Sequence, residues 1–331
     1  MRLYILQSAR LIPHEARSLT TPRIVFVPGM KPKPPPRPHK RELLRTLVAG
    51  LAWVRPAAAR WLREHEDRFT LVSWTHRFYG RYRDISLDLP GVERLLHQPE
   101  ASDEDRAEID AAARGARRLA HLVGDALPFV GRLIARPELR LTMTEVHRYF
   151  SDEDGVSSEI RSLLKTVIRQ AWLAGERVCL IGHSLGSVIA YDALWELSRE
   201  DGDTRRIELF VTLGSPLATR FIRRSLRGAE RKGAERYPSN IVRWANFAAK
   251  GETIALKPMR GFFAPMQELG LVESISDETE LYNHYRGDRG LNVHESYGYL
   301  IHPHVAGCIG DWIEAVSTER ALDAAPAASS S

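Results

Sequence analysis

The 331-residue chain is poor in cysteine and has no long apolar run, and each absence narrows the class of protein. Its two cysteines are Cys179 and Cys308. Cys179 lies in the apolar run of residues 178–181, where a buried free thiol is expected, so the disulfide framework of a small secreted domain is excluded. No apolar stretch reaches the roughly 18 residues that a membrane-spanning helix needs.

The first residues also lack the features of a targeting segment. Residues 1–13 mix Arg2, Gln7 and Arg10 into a short apolar pattern, without the apolar core and small-residue cleavage site of a signal peptide. They are typical of a first β-strand, and together with the low cysteine content they predict a cytoplasmic protein. No spacing of histidines or cysteines has the form of a metal site, and neither a metal nor another cofactor is predicted.

Charge is mildly positive, with 47 Lys and Arg against 42 Asp and Glu and a net charge of +5. The excess is concentrated in residues 220–236, which have the acidic residues Glu230 and Glu235 and the basic residues Arg220, Arg223, Arg224, Arg227, Arg231, Lys232 and Arg236. A solvated loop and helix face accounts for such a segment, and a peripheral contact with an anionic membrane or an acidic substrate is the functional alternative. Nucleic acid is not a predicted partner, because the segment has neither zinc-finger spacing nor interleaved aromatic residues.

Short continuous apolar runs alternate with segments of helical periodicity. Strands are predicted at residues 24–27, 69–74, 177–181, 207–213 and 241–247, with a weaker one near 280–285. Helices are predicted at residues 41–64, 158–174, 185–198 and 304–317. Because the strand runs are continuous rather than alternating, both sheet faces should be buried. The pattern predicts an α/β fold with a mostly parallel sheet and helices on both faces.

The chain is predicted to form one domain over residues 1–318, followed by a disordered Ala- and Ser-rich tail at 319–331. The Pro-rich, basic residues 31–40 predict an extended loop. Residues 80–155 lack a strong strand pattern and predict a largely helical insertion over one end of the sheet, where a cap or lid would lie. Within it, the apolar residues 122–134 fit either a helix packed on the core or a substrate-gating lid.

A Gly-X-Ser-X-Gly motif, residues 182–186, lies between the strand at 177–181 and the helix that starts at Leu185. A sharp strand-to-helix turn strains the backbone of its serine, and glycines on either side relieve crowding where strand and helix pass. The hydroxyl then projects above the sheet at the positive end of the helix. Ser184 is therefore the candidate nucleophile.

A nucleophilic serine needs an oxyanion hole made of two backbone N–H groups. The N–H of Leu185, directly after the serine, is the first predicted donor. The second is expected in the loop after the early strand, at Pro28-Gly29-Met30. Gly29 permits close approach of the backbone, and the Met30 N–H is the predicted donor.

The serine also needs a general base, and enzymes with such an elbow carry the acid and then the histidine after the serine. The downstream histidines are His284, His294, His302 and His304. His294 follows the turn at residues 290–293 and precedes the last helix, and it is the predicted base. The other three histidines fit surface or capping roles.

The acid should orient the histidine from the loop after the strand at 241–247. Glu252 is the first carboxylate of that loop and the predicted acid. Asp277 and Asp288 are the alternatives, and the position of Asp288, close to His294 in the sequence, is more typical of a turn residue.

These motifs resemble those of the lipase-like members of the α/β-hydrolase superfamily, over residues 24–30 and about 158–316. The similarity is carried by residues 178–192, 210–217, 244–247, 252–255 and 294–300. Glu252 falls on the acid of the family's Asp-Pro-Val-Ala loop, from which this chain departs with Glu for Asp and Thr for Pro. The resemblance implies hydrolysis of carboxylic esters, small or lipid-like, through an acyl-serine intermediate.

Two other functions stay open on sequence grounds. An acyltransferase or thioesterase would use the same Ser184, His294 and Glu252, with an alcohol in place of water as acceptor in the transferase. A binding module without catalysis is the third interpretation. It would be expected to lack a member of the set, whereas a serine, an acid and a histidine are all present.

Overall fold

A computed structural model describes residues 21–123, 137–252 and 258–324, and the side chains of residues 116–142 and 320–324 are not described. The strand predicted at residues 1–13 lies outside the described residues. So do most of the apolar stretch 122–134 and the last seven residues of the predicted tail.

Six parallel strands form one sheet, in the spatial order β2-β1-β3-β4-β5-β6. Their bounds are β1 Thr21–Val27, β2 Phe69–Leu71, β3 Glu176–His183, β4 Ile207–Leu213, β5 Ile241–Ala249 and β6 Ser274–Leu281. An antiparallel pair, β7 Arg286–Gly287 and β8 Gly290–Leu291, is separate. The α/β class, the parallel sheet and five of the predicted strands are confirmed.

The weaker strand near 280–285 was predicted in the wrong place. The sixth strand, β6, begins at Ser274 and ends at Leu281. It is an edge strand whose residues are mostly exposed or half-buried. Its charged side chains Asp277, Glu278 and Glu280 interrupt the continuous apolar run by which a buried strand is predicted. β2 is also shorter than predicted and ends at Leu71.

The first helices are α1 Pro36–Val54, α2 Pro56–Glu64, α3 Thr75–Tyr79, α4 Leu89–His97, α5 Asp103–Val123 and α6 Pro137–Ser151. The later helices are α7 Val156–Leu173, α8 Leu185–Trp195, α9 Arg220–Ser225, α10 Arg260–Glu268, α11 Ser296–Ile301 and α12 Pro303–Ala324. None of those within the described ranges combines the length and apolarity needed to cross a bilayer. The described part of the predicted insertion at 80–155 is largely helical, over α4, α5 and α6.

Two predicted boundaries are corrected. The extended loop expected over 31–40 ends at Pro35, because α1 begins at Pro36. Proline is accepted in a first helical turn, where its missing N–H has no intrahelical partner to lose. The tail predicted from residue 319 is still helical up to Ala324 in α12.

Helices cover both faces of the sheet, and each face has its own apolar core. On one face, α7, α8 and α10 pack against Val25, Leu180 and Phe210. On the other, α1, α2 and α12 pack against the alternate residues Phe26 and Ile181. Cys179 is buried in the second core as a free thiol, and Cys308 is free as well, as predicted for Cys179.

The order of the strands changes direction at β1. The chain leaves β1 toward β2 on one side and returns as β3 on the other side, with Val27 paired to Gly182 at the carboxyl end. In open parallel sheets, such a switch point leaves a crevice beyond the carboxyl ends of the two strands. The loop at 28–31 and the Gly-X-Ser-X-Gly turn both lie at this crevice.

Candidate active site

Ser184 connects β3 to α8 in a strained backbone conformation, with φ 52° and ψ −127°. Its N–H donates a 2.9 Å hydrogen bond to the carbonyl of Leu213, which ties the turn to the end of β4. The motif's glycines are sterically required. A Cβ on Gly182 would lie 2.5 Å from Ser187 Cα, and one on Gly186 would lie 2.2 Å from the Val27 carbonyl oxygen. The turn therefore has the backbone strain expected of a nucleophile elbow.

The loop after β1 passes directly over Ser184. A Cβ on Gly29 would lie 2.9 Å from Ser184 Cβ, so only glycine fits. The loop is held in place because the Trp74 indole N–H donates to the Pro28 carbonyl at 2.8 Å. Met30, the predicted second oxyanion donor, thus lies one residue beyond the contact with the serine.

The next amide of this loop is already engaged. Lys31 has a left-handed φ of 73°, and its N–H donates a 2.8 Å hydrogen bond to the Tyr79 hydroxyl. In contrast, the N–H groups of Met30 and Leu185 make no hydrogen bond within the described part of the chain. Both predicted donors are therefore available to a ligand oxygen.

The predicted base and acid are in contact. His294 Nδ1 lies 2.7 Å from Glu252 Oε1. The Tyr299 hydroxyl donates to the same oxygen at 2.6 Å and accepts a hydrogen bond from the Ala249 N–H at 2.8 Å. Glu252 is only 3% exposed, so these two donors provide the compensation that a buried carboxylate requires.

The base and acid lie beside the serine turn. A Cβ on Gly214, the residue after Leu213, would lie 2.8 Å from Glu252 Oε1 and 2.9 Å from His294 Nδ1. His183, the residue before Ser184, donates from Nε2 to the His294 carbonyl at 2.7 Å. His183 thus contacts the His294 backbone and Gly214 lies beside the Glu252–His294 pair, so the pair is placed next to the serine turn at the carboxyl ends of β3, β4 and β5.

The charge of Glu252 sets the protonation of His294. Burial alone would lower the pKa of His294, but the Glu252 carboxylate and its hydrogen bond outweigh burial and raise that pKa above its usual value. The hydrogen bond assigns the proton of the neutral ring to Nδ1, which leaves Nε2 free to accept a proton. Burial holds the pKa of His183 well below its usual value, so this neighbouring ring stays neutral.

The alternative acids have other roles. Asp277 accepts hydrogen bonds from the Asn246 amide at 2.8 Å and from the N–H groups of Met259 and Arg260, both at 2.7 Å. It therefore anchors the start of α10 to β5. Asp288 is exposed in the turn between β7 and β8.

The alternative bases also lie elsewhere. The Nε2 atom of His284 is 2.8 Å from the Gln98 carbonyl. His304 pairs with Glu278 on the edge strand, and the His302 ring packs against that of His304. In the described part of the chain, none of these three histidines makes a hydrogen bond or ion pair with Ser184 or Glu252.

Sequence reasoning missed the polar residues that support the site. Tyr299 reaches Glu252 from α11, His183 reaches the His294 backbone, and Tyr79 reaches the loop after β1 from α3. Only His183 stands inside a recognised motif. The contacts of Tyr299 and Tyr79 join chain segments 47 and 48 residues apart, and no local pattern carries that information.

Within the described residues, no group of three or more His, Cys, Asp and Glu side chains is arranged to hold a metal ion. No protein-family model, curated protein or solved structure matches the chain. What the site can do is therefore argued from its own geometry.

Proposed function

We propose that the chain is a serine hydrolase of the α/β-hydrolase type that cleaves carboxylic esters. The observation that carries this proposal is the 2.7 Å contact between His294 and Glu252, beside the strained Ser184 turn, where His183 hydrogen-bonds the His294 carbonyl. A strained serine, a histidine with a free Nε2 and a buried carboxylate behind it are the parts that nucleophilic ester cleavage requires.

In the first half of the reaction, Ser184 Oγ attacks the ester carbonyl carbon while His294 Nε2 takes the hydroxyl proton. The carbonyl oxygen becomes an oxyanion, which accepts hydrogen bonds from the Leu185 and Met30 N–H groups. Collapse of this intermediate breaks the bond to the alcohol oxygen. His294 returns the proton to that oxygen, and the acyl group remains on Ser184.

In the second half, water attacks the acyl-serine and gives its proton to His294 Nε2. The acid product leaves as the proton returns to Ser184 Oγ. During both halves the Glu252 carboxylate stabilises the imidazolium that forms, in line with the raised pKa of His294 beside it. An alcohol in place of water would give the ester of an acyltransferase, and a thioester substrate would give a thioesterase.

The helical insertion borders the loop after β1 that carries Met30. The Arg148 guanidinium of α6 lies over the Phe78 ring of α3 at 4.3 Å and donates a 2.5 Å hydrogen bond to the Phe78 carbonyl. Because the next residue, Tyr79, accepts a hydrogen bond from the Lys31 N–H, α6 is linked through α3 to the loop that carries Met30. This supports the assignment of the insertion as a cap beside the site.

A fluorophosphonate probe tests the nucleophile. We expect covalent labelling of the wild type and none of Ser184→Ala, because the probe reacts only with an activated serine. Ser198→Ala is the matched control. This serine lies in the helical turn that follows α8, where it donates to the Leu194 and Trp195 carbonyls and accepts from the Ser239 N–H. Absence of labelling in folded wild-type protein would overturn the enzyme assignment. Product analysis with and without an added alcohol distinguishes hydrolysis from acyl transfer.

Paired variants test the acid. Glu252→Gln should lower kcat/KM of ester hydrolysis on the order of 10³- to 10⁴-fold, because His294 loses the group that orients it. Without that carboxylate, burial dominates and the pKa of His294 falls, so the acidic limb of the residual activity should move to lower pH. Asp277→Asn should stay within a few-fold of wild type. Loss of hydrolysis in Asp277→Asn alone would show that the acid is misassigned.

A further inference from the structure

Two adjoining cavities, of about 400 Å³ and about 230 Å³, lie between α8 and the segment after β4. They share Leu226, Arg227 and Ala229 as a common wall. Asp192, which lines the larger cavity, is eight residues and so about 12 Å along the helix axis from Ser184. The cavities are therefore separate from the candidate active site.

Arginine dominates the lining of both cavities. The larger is lined by Arg161, Arg224, Arg227 and Arg231, and the smaller by Arg223, Arg227 and Arg236. The acidic residues that line the larger cavity are Asp152, Asp192 and Glu230, and the smaller has none among its lining residues. Six arginines and three carboxyl groups thus line the joined space, and two of the arginines, Arg161 and Arg227, pair with Glu196 at 2.6 Å and 3.4 Å.

Two of these carboxyl groups already accept hydrogen bonds from other groups of the protein. Asp192 is 2% exposed and accepts hydrogen bonds from the Tyr149 hydroxyl and the Arg227 N–H, both at 2.9 Å. Asp152 accepts hydrogen bonds from the Ser157 and Ser158 N–H groups at the start of α7. Asp152 also pairs with Arg161 at 3.5 Å, and no ion pair joins Asp152 or Asp192 to Arg224 or Arg231 in the described part of the chain.

Two of the lining arginines, Arg224 and Arg231, make no ion pair in the described part of the chain. Both are exposed, and neither has a side-chain hydrogen bond with any described residue. A guanidinium group presents a planar fork of donors that matches phosphate oxygens in pairs. The charge and chemistry of these two side chains favour a phosphate group as ligand.

Aromatic side chains surround the same space. The Phe150 ring, from the larger cavity, packs edge-on against Phe221 of α9 at 5.9 Å. In the smaller cavity, the Arg223 guanidinium lies 4.0 Å above the Phe262 ring. A ligand that fills both parts would combine an anionic head with an apolar body.

We propose that the joined cavities bind the phosphate headgroup of an anionic membrane lipid, with Arg224 and Arg231 as the main cationic contacts. A soluble phosphate compound has the same phosphate group as the lipid but no apolar part to contact Phe150 and Phe262. The site is independent of the proposed ester hydrolysis, because its residues do not include any of the candidate catalytic set. Binding is therefore measured on the Ser184→Ala full-length chain, in which a failure of the hydrolase assignment cannot affect the result.

Vesicle flotation provides the test. Phosphatidylcholine vesicles are doped with phosphatidic acid or, at matched surface charge, with oleate, which has no phosphate. We expect the Ser184→Ala chain to bind phosphatidic acid vesicles and to bind oleate vesicles much more weakly. Adding Arg224→Gln and Arg231→Gln should reduce binding about 10-fold or more, because the two substitutions remove two positive charges from the surface that meets the membrane.

The matched control removes the same charge elsewhere. Arg60→Gln with Arg63→Gln changes two exposed arginines on α2 and should leave binding unchanged. Equal loss in both double variants, equal binding to oleate vesicles, or no binding to phosphatidic acid vesicles would each overturn the proposal. If glycerol phosphate stabilised the protein thermally in a way that depends on Arg224 and Arg231, without vesicle binding, the ligand would be a soluble phosphate compound and the proposal of a membrane lipid would be wrong.

Discussion

The Tyr299 hydroxyl donates a 2.6 Å hydrogen bond to Glu252 Oε1, inside the protein and away from water. The same oxygen faces His294 Nδ1, so the carboxylate is held between an aromatic donor on one side and an imidazole on the other. Tyr299 is itself fixed by the Ala249 N–H at the end of β5. The orientation of the candidate acid therefore depends on a residue that takes no part in bond making.

Tyr299→Phe tests this positioning role. The variant removes one of two donors to Glu252, and we expect kcat of ester hydrolysis to fall about 10-fold with a small change in KM. The remaining negative charge interacts more strongly with His294, so its pKa should rise and the acidic limb of the pH profile should move to higher pH. A purely structural residue would lower the folded fraction without moving that limb.

Tyr79→Phe tests how the loop after β1, residues 28–31, is held in place. The variant removes the acceptor for the Lys31 N–H, whose residue has the strained φ of 73°. The loop should then hold Met30 less firmly, and kcat should fall about 10-fold while KM changes little, because the oxyanion exists only during reaction. Tyr82→Phe, at a hydroxyl on a half-exposed ring stacked on His76, serves as control. A fall in kcat shared by both variants would contradict the role of Tyr79.

Asp192→Asn should change how stability depends on pH. Burial raises the pKa of Asp192 from its ordinary 3.8 to about 6, although the Arg227 N–H and the Tyr149 hydroxyl oppose that rise. Between these values the folded chain holds a proton that the unfolded chain has lost, so the contribution of this group falls as pH rises.

Relative to Asp192→Asn, the free energy of unfolding of the wild type should therefore fall by about 3 kcal/mol between pH 4 and pH 7. Urea titrations of both proteins across that range measure the difference. Asp103→Asn, at an exposed carboxylate on α5, controls for loss of a surface charge. A difference between wild type and Asp192→Asn that stays constant with pH would contradict the assignment.

Sequence alone predicts those parts of the fold that are determined by residues close together along the chain. The apolar run before Ser184 and the glycines around it specify β3, the turn and α8, because local sterics decide them. The order of acid and base along the chain was enough to select Glu252 and His294, which the structure brings to 2.7 Å. Their catalytic roles stay a prediction that the labelling and pH experiments test.

What sequence did not predict is what depends on tertiary contacts. The position of β6 was missed because an edge strand needs apolar residues on few positions, and its charged residues pair with neighbours such as His304. The tyrosines at 79 and 299 look like ordinary core aromatics until the fold brings their hydroxyls to partners far along the chain. The arginine-lined cavities likewise form only where α6, α8 and the segment after β4 meet.

The backbone angles of Ser184 have a consequence for evolution as well as for catalysis. A φ of 52° with ψ of −127° is unfavourable for serine and easy for glycine, so Ser184→Gly should raise the free energy of unfolding by about 1–2 kcal/mol while abolishing probe labelling. Thermal denaturation beside Ser198→Gly, in the helical turn Glu196–Glu200 where φ is not positive, should show opposite signs for the two changes. Selection for thermostability alone would thus replace Ser184, the proposed nucleophile, and a serine kept at this position lowers stability in favour of the proposed reactivity.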